Sequence, residues 1–213
     1  ETHVLNAEQV HRVVARAAGI PGAIILHTMV NSDRRHLLAV EALAQLPEDT
    51  ALLVAGGVRR SSDQAALDEL QRAVAAAGLG ERVRITGYLE DADVPAYIDA
   101  CDLLLYPATH ADSSYSLVTG LAYGTAPLVA SDVYGHREVA ECGAGITLFR
   151  SGDAQDLARA VRHLLASPPQ RAALLAQAAA YAQRTSWAAV AQQTRGVYEL
   201  ALRKQPSSSR SRL

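Results

Sequence analysis

The chain reads as an α/β protein, a parallel sheet with helices packed on both faces, and three observations predict it. Short apolar runs, among them Ala23 to Val30 (AIILHTMV), Ala51 to Ala55 and Leu103 to Tyr106, alternate with segments of helical periodicity along most of the sequence. The runs are continuously apolar rather than alternating, which is the pattern of strands covered on two sides. Each run is closed by glycine, proline or a polar turn, as at Gly56-Gly57, Gly87-Tyr88, Pro107 and Ser131-Asp132. Six parallel strands are expected, near residues 23–29, 51–55, 83–86, 102–106, 127–130 and 146–148.

The first residues have helical spacing at Val4, Val10, Val13, Val14 and Ala17 and stop at Gly19 and Pro21, so residues 1–22 read as a linker helix from an absent preceding domain. After the first strand, Asn31-Ser32-Asp33 offers an N-cap to a helix whose apolar face is Leu37, Leu38, Val40, Ala42 and Leu43. A helix from about Asp63 to Ala77 follows the second strand and ends at Gly78. The third strand leads to a short helix around Val94 to Ala100. Ser113 and Ser114 cap a helix carrying Leu117, Val118, Leu121 and Ala122 as far as Gly124. Pro127 to Ala130 is the fifth strand, Gly135 to Glu138 opens a helix, and Ile146 to Phe149 is the last strand. The remainder is helical: Asp153 to Ala166, Pro168 to Arg184, and Trp187 to about Lys204. Trp187 and Tyr198 read as packing residues of that final helix. Residues 23–204 form the expected domain, and Gln205 to Leu213, polar and Ser-rich, reads as a disordered tail.

Composition excludes several function classes. The 213 residues, 49% hydrophobic and 20% charged, suit one domain with a sizeable core. A net charge of -2 with a pI near 6.4 gives no basic surplus for nucleic acid or an anionic membrane. Cys101 and Cys142 have no metal-ligand spacing and are too few for a disulfide framework, which favours the cytoplasm, with peripheral contact at the inner membrane left to an absent part. No apolar run approaches the roughly 20 residues that span a bilayer. Met29 is the only methionine, so Glu1 is not a translational start and the sequence reads as a piece of a longer protein. The sole lysine, Lys204, rules out a P-loop. No Gly-x-Gly-x-x-Gly follows the first strand, and there is no Gly-x-Ser-x-Gly elbow.

In parallel sheets ligands sit beyond the carboxyl ends of the strands, so the loops His110 to Ser116 and Ser131 to His136 should face one crevice. Arg34 and Arg35, with Arg59, supply cations near it, and Ser113, Ser114 and Ser116 supply hydroxyls beside a helix N-terminus, a combination suited to phosphate. Each has a plainer reading, as solvated charges at a helix start and as a helix cap. His110 and His136 flank the crevice as loop histidines, more often exposed than liganding, and His27 reads as a core residue. Asp91-Ala92-Asp93 precedes a short helix, where acids favour the dipole.

Four segments carry a family resemblance: LLVAGG, ending at Gly57; RVRITGYLEDADVPAYIDACDLLLYPA; LAYGTAPLVASDVYGHREVAE with GAGITL; and TSWAAVAQQTRGVYEL. In order and spacing the chain resembles the C-terminal, nucleotide-sugar-binding half of a retaining GT-B glycosyltransferase, of the large group that includes sucrose synthases and many bacterial mannosyl and glucosyl transferases. The resemblance implies a Rossmann-like domain whose last helices pack back onto a partner domain. It also implies a nucleotide-diphosphate sugar, with UDP or GDP, as donor, no metal or other cofactor, and an acceptor held by an absent N-terminal domain. By itself such a fragment should bind donor without turnover.

The chain departs from the family where that group places its donor carboxylates, a Glu, a Phe-Gly pair and a second Glu ahead of Ala-Met-Ala-x-Gly. Counting back from Gly124 puts Thr119 at the second Glu and Ala111 at the first. Asp112 is one position from the first, and Tyr115-Ser116 stands near the Phe-Gly. The family's arginine and lysine after the first strand fall near Met29 and Arg34. The resemblance thus assigns the diphosphate to Arg34, Arg35, Ser113, Ser114 and Ser116, and the base, ribose and sugar to Gly57, Gly87, Tyr88, Asp112, Tyr115 and Thr119. It assigns no catalytic residue. Two alternatives stand beside it: a non-catalytic glycosyltransferase-like module kept for assembly or regulation, and another sugar-nucleotide enzyme of the same architecture, such as an epimerase.

Overall fold

A computed structural model describes residues 23–27, 35–58, 60–90, 92–99, 101–111 and 115–204. The expected linker helix, the Asn31 to Asp33 cap and the C-terminal tail lie outside these residues. The elements run β1 (Ala23–His27), α1 (His36–Leu43), β2 (Ala51–Ala55), a 3-10 turn (Ser61–Asp63), α2 (Gln64–Ala76), β3 (Val83–Ile85), α3 (Val94–Asp99) and β4 (Leu103–Tyr106). They continue with α4 (Tyr115–Tyr123), β5 (Leu128–Ser131), α5 (Tyr134–Glu141), β6 (Ile146–Phe149), α6 (Ala154–Leu165), α7 (Pro168–Arg184) and α8 (Trp187–Lys204). Every strand pair is parallel and the order across the sheet is β3-β2-β1-β4-β5-β6.

Alternate residues of the strands feed two separate cores. Leu103, Leu105 and Val129 join Leu52 and Val54 in one cluster with Leu38, Ala39, Val40, Ala42 and Leu43 of α1, Leu67, Leu70 and Val74 of α2, and Leu157, Val161 and Leu164 of α6. Leu104, Tyr106, Leu128 and Ala130 enter the other, with Val94, Tyr97 and Ile98 of α3, Leu117 and Leu121 of α4, and Ala178 of α7. Helices therefore cover both faces, which is why these strands are apolar throughout. Each fully buried leucine, such as Leu103, Leu104 or Leu117, contributes about 1.5–3 kcal/mol relative to exposure.

The N-terminal ends of the strands are closed by arginines. Arg82, just ahead of β3, donates to the carbonyls of Thr50 (2.9 Å), Leu43 (3.2 Å), Leu46 (3.3 Å) and Pro47 (2.7 Å), gathering the end of α1 and the start of β2. Arg162 donates to Gln45 O at 2.8 Å, and Arg171 to Leu164 O and Leu165 O at 2.8 and 2.7 Å. Carbonyls at a helix C-terminus carry partial negative charge, so guanidinium groups are well matched to them.

Caps and exposure correct three expectations. The cap position of α1 is Arg35, with φ 49° and ψ 43° and no side-chain cap bond, rather than the Asn31 to Asp33 stretch. A left-handed backbone at an L-residue is costly by about 1–2 kcal/mol, a local strain that packing of the following helix sustains. Trp187 and Tyr198 are exposed by 87% and 67%, so they are not core residues; among the described residues of α8 only Ala189 and Gly196 are as much as half-buried. His136, expected at the surface, is fully buried. Two helix starts agree with the sequence: Asp153 caps α6 by accepting from Gln155 N (3.0 Å) and Asp156 N (2.9 Å), and Ser186 Oγ accepts from Ala189 N (3.2 Å) at the start of α8, while Ser167 precedes α7 without a side-chain cap bond and the Ser113–Ser114 cap lies outside the described residues. No helix among the described residues is long and apolar enough to cross a membrane.

Candidate functional site

The strand order reverses at β1: β2 and β3 lie on one side of it, β4, β5 and β6 on the other. Connections leaving β1 and β4 diverge there, and the carboxyl ends of these strands border a crevice. Three groups of described residues lie at or next to the carboxyl ends of the strands.

The loops after β2 and β3 are locked together. Gly56 N donates to Thr86 Oγ1 at 3.2 Å, and the Thr86 hydroxyl, buried, donates to Gly87 O at 2.9 Å. A Cβ on Gly57 would lie 2.7 Å from Tyr88 N, so only glycine permits the two backbones to meet. Gly57, Gly87 and Tyr88, assigned separately from sequence, are thus brought into contact, and the Tyr88 ring is left 67% exposed above them.

The loop after β4 is held from beneath. Ser131 Oγ, at the end of β5, donates to Ala108 O at 2.7 Å, with Tyr106 O at 3.4 Å, and Ser151 Oγ reaches Ala108 O at 3.5 Å. His136 Nδ1 lies 3.0 Å from Ser131 O, and Gly135 N donates to Ala111 O at 2.7 Å. Ala111, at the position of the family's first carboxylate, is buried, with its carbonyl committed to α5.

Helix α4 rises from this loop and rests on β4. The Tyr106 hydroxyl donates to Ser116 O at 2.8 Å, and burial pushes its pKa above the ordinary tyrosine value, so it stays a donor. Gly120 admits it: a Cβ there would lie 2.6 Å from the Tyr106 oxygen and 3.0 Å from Leu104 Cδ1. Tyr115 is 87% exposed at the helix start, while Ser116 and Thr119 are half-buried. Arg34, Asp112, Ser113 and Ser114 lie outside the described residues.

Arg35 lines a cleft of about 250 Å³ with His36, Glu41, Ala66, Glu69 and Gly152, and among the described residues none of the others assigned to donor binding joins it. A second cleft, of about 400 Å³, lies at the ends of β5 and β6 between Asp132, Leu148, Arg150, Ser151 and Asp156. His110 is exposed, as its loop position suggests. Of the two free cysteines, Cys142 is exposed and Cys101 is buried; burial pushes the Cys101 thiol up to about 12, and its Sγ donates to Tyr97 O at 3.1 Å, so it is unreactive. The backbone ties made by Thr86, by Tyr106 and by the Ser131–His136 pair were not found in the sequence. Their only signal is that β3, β4 and β5 each end in a residue with a hydroxyl at or just past the strand.

Comparison with known proteins agrees with this architecture. The model of the family described as glycosyl transferases group 1 matches residues 24–181. The chain is 33% identical over 135 residues to a 2-deoxystreptamine glucosyltransferase of Streptomyces kanamyceticus, covering 63% of this chain and 33% of that protein. It is 30% identical over 168 residues to a D-inositol 3-phosphate glycosyltransferase of Xylanimonas cellulosilytica, covering 79% and 40%. Among solved structures, HepE of Anabaena in complex with UDP and glucose superposes with a TM-score of 0.78 at 21% identity, over 91% of this chain and 53% of that one. Sucrose-phosphate synthase from Thermosynechococcus elongatus gives 0.76 at 21% identity, over 92% and 49%. The chain spans well under half the length of these curated relatives and about half of the solved chains. With an open parallel sheet, a crevice where its strand order reverses and a family model covering most of its length, the chain belongs to the glycosyl transferases group 1 family, whose fold is the GT-B glycosyltransferase fold.

Proposed function

We propose that this domain binds a nucleotide-diphosphate sugar, UDP- or GDP-linked, across the β1/β4 crevice and serves retaining glycosyl transfer to an acceptor held by a preceding N-terminal domain. The observation that carries the reading is the contact of Gly57 with Gly87 and Tyr88 beyond the ends of β2 and β3, in a sheet whose strand order reverses at the neighbouring β1. The base and ribose lie against this contact, where the Tyr88 ring offers a stacking face and backbone groups of the glycines allow close approach. The diphosphate lies against the loop leading to α4. Arg34 and Arg35 contribute positive charge, and Ser113, Ser114, Ser116 and the positive end of the α4 dipole complete its cradle without a metal. As the glycosyl bond breaks, negative charge develops on the diphosphate, and donors fixed in advance lower that barrier most. Asp112, Tyr115 and Thr119 are assigned to the sugar side.

Support comes from the family match and from HepE, which binds UDP and glucose on the same fold. A specific observation favours a second reading as well. With a buried Ala111 and a half-buried Thr119 in place of two carboxylates, the strongest anchors for sugar hydroxyls are gone, as in a non-catalytic module retained for assembly or regulation. Calorimetric titration of the domain with UDP, GDP and their sugars decides between them. Binding at micromolar to low millimolar concentration is the expected result, and no heat with either nucleotide supports the non-catalytic module.

A further inference from the structure

Resting on the donor-binding reading above, we infer that His136 is a positioning residue, one that fixes the carboxyl end of β5 from inside the protein and thereby sets the loop that carries the diphosphate side of the site. A carbonyl oxygen can only accept a hydrogen bond, so the 3.0 Å contact with Ser131 O makes Nδ1 the proton-bearing nitrogen of the ring. Ser131 in turn gives the single hydrogen of its hydroxyl to Ala108 O at 2.7 Å. One residue before His136, Gly135 N donates to Ala111 O at 2.7 Å. The β4–α4 loop is therefore gripped at Ala108 and at Ala111, on either side of exposed His110, by a unit whose own geometry is set by the buried imidazole. Ser131 is itself buried, so water does not compete for these bonds. The hydrogen bond spans the turn from the end of β5 into α5, and so holds Ser131 and Gly135 at the spacing that lets both reach the same loop.

A residue that merely fills space and a residue that holds a loop by its Nδ1–H are separated by two substitutions. His136→Leu keeps an apolar filling and removes the donor. His136→Asn places an amide nitrogen at the same covalent distance from the backbone as Nδ1 and restores it. Both are compared with the parent domain in calorimetric binding of UDP, GDP and the matching nucleosides, and in amide hydrogen exchange at Gly135. His136→Leu is expected to weaken the diphosphate that binds by about tenfold, to leave its nucleoside unchanged, and to accelerate Gly135 exchange about tenfold relative to the β1–β2 amides. His136→Asn is expected to bring both readouts to within about threefold of the parent, the effect of a recovered hydrogen bond. Equal weakening in the two variants, or parental behaviour in His136→Leu, overturns the assignment. Should His136→Leu fail to fold, Ser131→Ala, which deletes only the hydroxyl on Ala108, is expected to weaken the diphosphate in the same way, and unchanged binding there overturns it equally. A parent domain that binds neither diphosphate refutes the donor-binding reading, whereas unchanged Gly135 exchange in His136→Leu refutes the clamp itself.

Discussion

The two ends of the sheet are built from different materials. At the N-terminal end, long cations close the structure: Arg82 spends its guanidinium on four backbone carbonyls, and Arg162 and Arg171 seal the neighbouring helix ends. At the C-terminal end the ties are short: Thr86, Ser131, Tyr106 and His136, each bonded to backbone, with glycines where chains meet. An arginine used for closure gives donors to backbone carbonyls that a ligand would otherwise receive. Short ties hold the loops to the ends of the strands and place no cation there. The difference teaches that charge at one pole is structural and that the positive charge proposed for function belongs at the other.

The comparison can be broken most decisively at Arg82. Arg82→Ala strips four carbonyls of their partner in a half-buried setting and is expected to lower unfolding free energy by about 2–4 kcal/mol, with nucleotide affinity unchanged, measured by urea midpoint and calorimetry. A loss of binding without a loss of stability would reverse the division between the poles. Arg34→Ala is the mirror experiment. It is expected to weaken nucleoside diphosphate by about 1.5–3 kcal/mol, tenfold or more, while the urea midpoint and the nucleoside affinity hold. Thr119→Glu sharpens the picture within the crevice: restoring a carboxylate at the half-buried position should raise nucleotide-sugar affinity by about 1 kcal/mol, and no gain would place the sugar elsewhere.

The smallest effect concerns Asp153, which caps α6 on the same side as the crevice. Its carboxyl sits below the ordinary carboxylate value, chiefly through the hydrogen bond from Asp156 N and further through Arg150 and Gln155 N. A depressed folded-state value means that the cap stabilises the domain above the unfolded value of about 3.9 and that this contribution is lost as pH falls through the folded value. Asp153→Ala is expected to lower the melting midpoint by a few degrees at neutral pH, with the difference from the parent shrinking in acid below about pH 4. A difference that persisted undiminished into that acid range would detach the cap from the ionised carboxyl.

Much of the fold was legible because continuous apolar runs and glycine punctuation report strands directly. The bounds of β3 to β6 fall within a residue of those expected, and α7 and α8 begin at the Pro168 and Trp187 positions that the Ser-Pro and Thr-Ser signals mark. What was not legible depends on contacts between elements distant in sequence. Nothing near Gly57 in the chain announces Tyr88 N as its neighbour. His136 looks like a loop histidine until β5 and α5 are placed and its ring is enclosed. Trp187 and Tyr198 mark an apolar face on α8, but periodicity names a face without naming what covers it, and both side chains are exposed here. The cap of α1 failed for a local reason, since an arginine in left-handed geometry has no sequence signal at all.

The fit between Tyr106 and Gly120 also constrains the order in which this sequence can change. The tyrosine oxygen stands 2.6 Å from where a side chain at 120 would begin, and its hydroxyl is engaged with Ser116 O inside a buried layer, so it cannot swing aside. An alanine at 120, the better helix former, is excluded while Tyr106 is present. A smaller residue at 106, by contrast, merely leaves a gap, a defect that proteins tolerate more readily than overlap. The accessible mutational path therefore runs through position 106 first and 120 second, and lineages that carry a larger residue at 120 should already have given up the tyrosine.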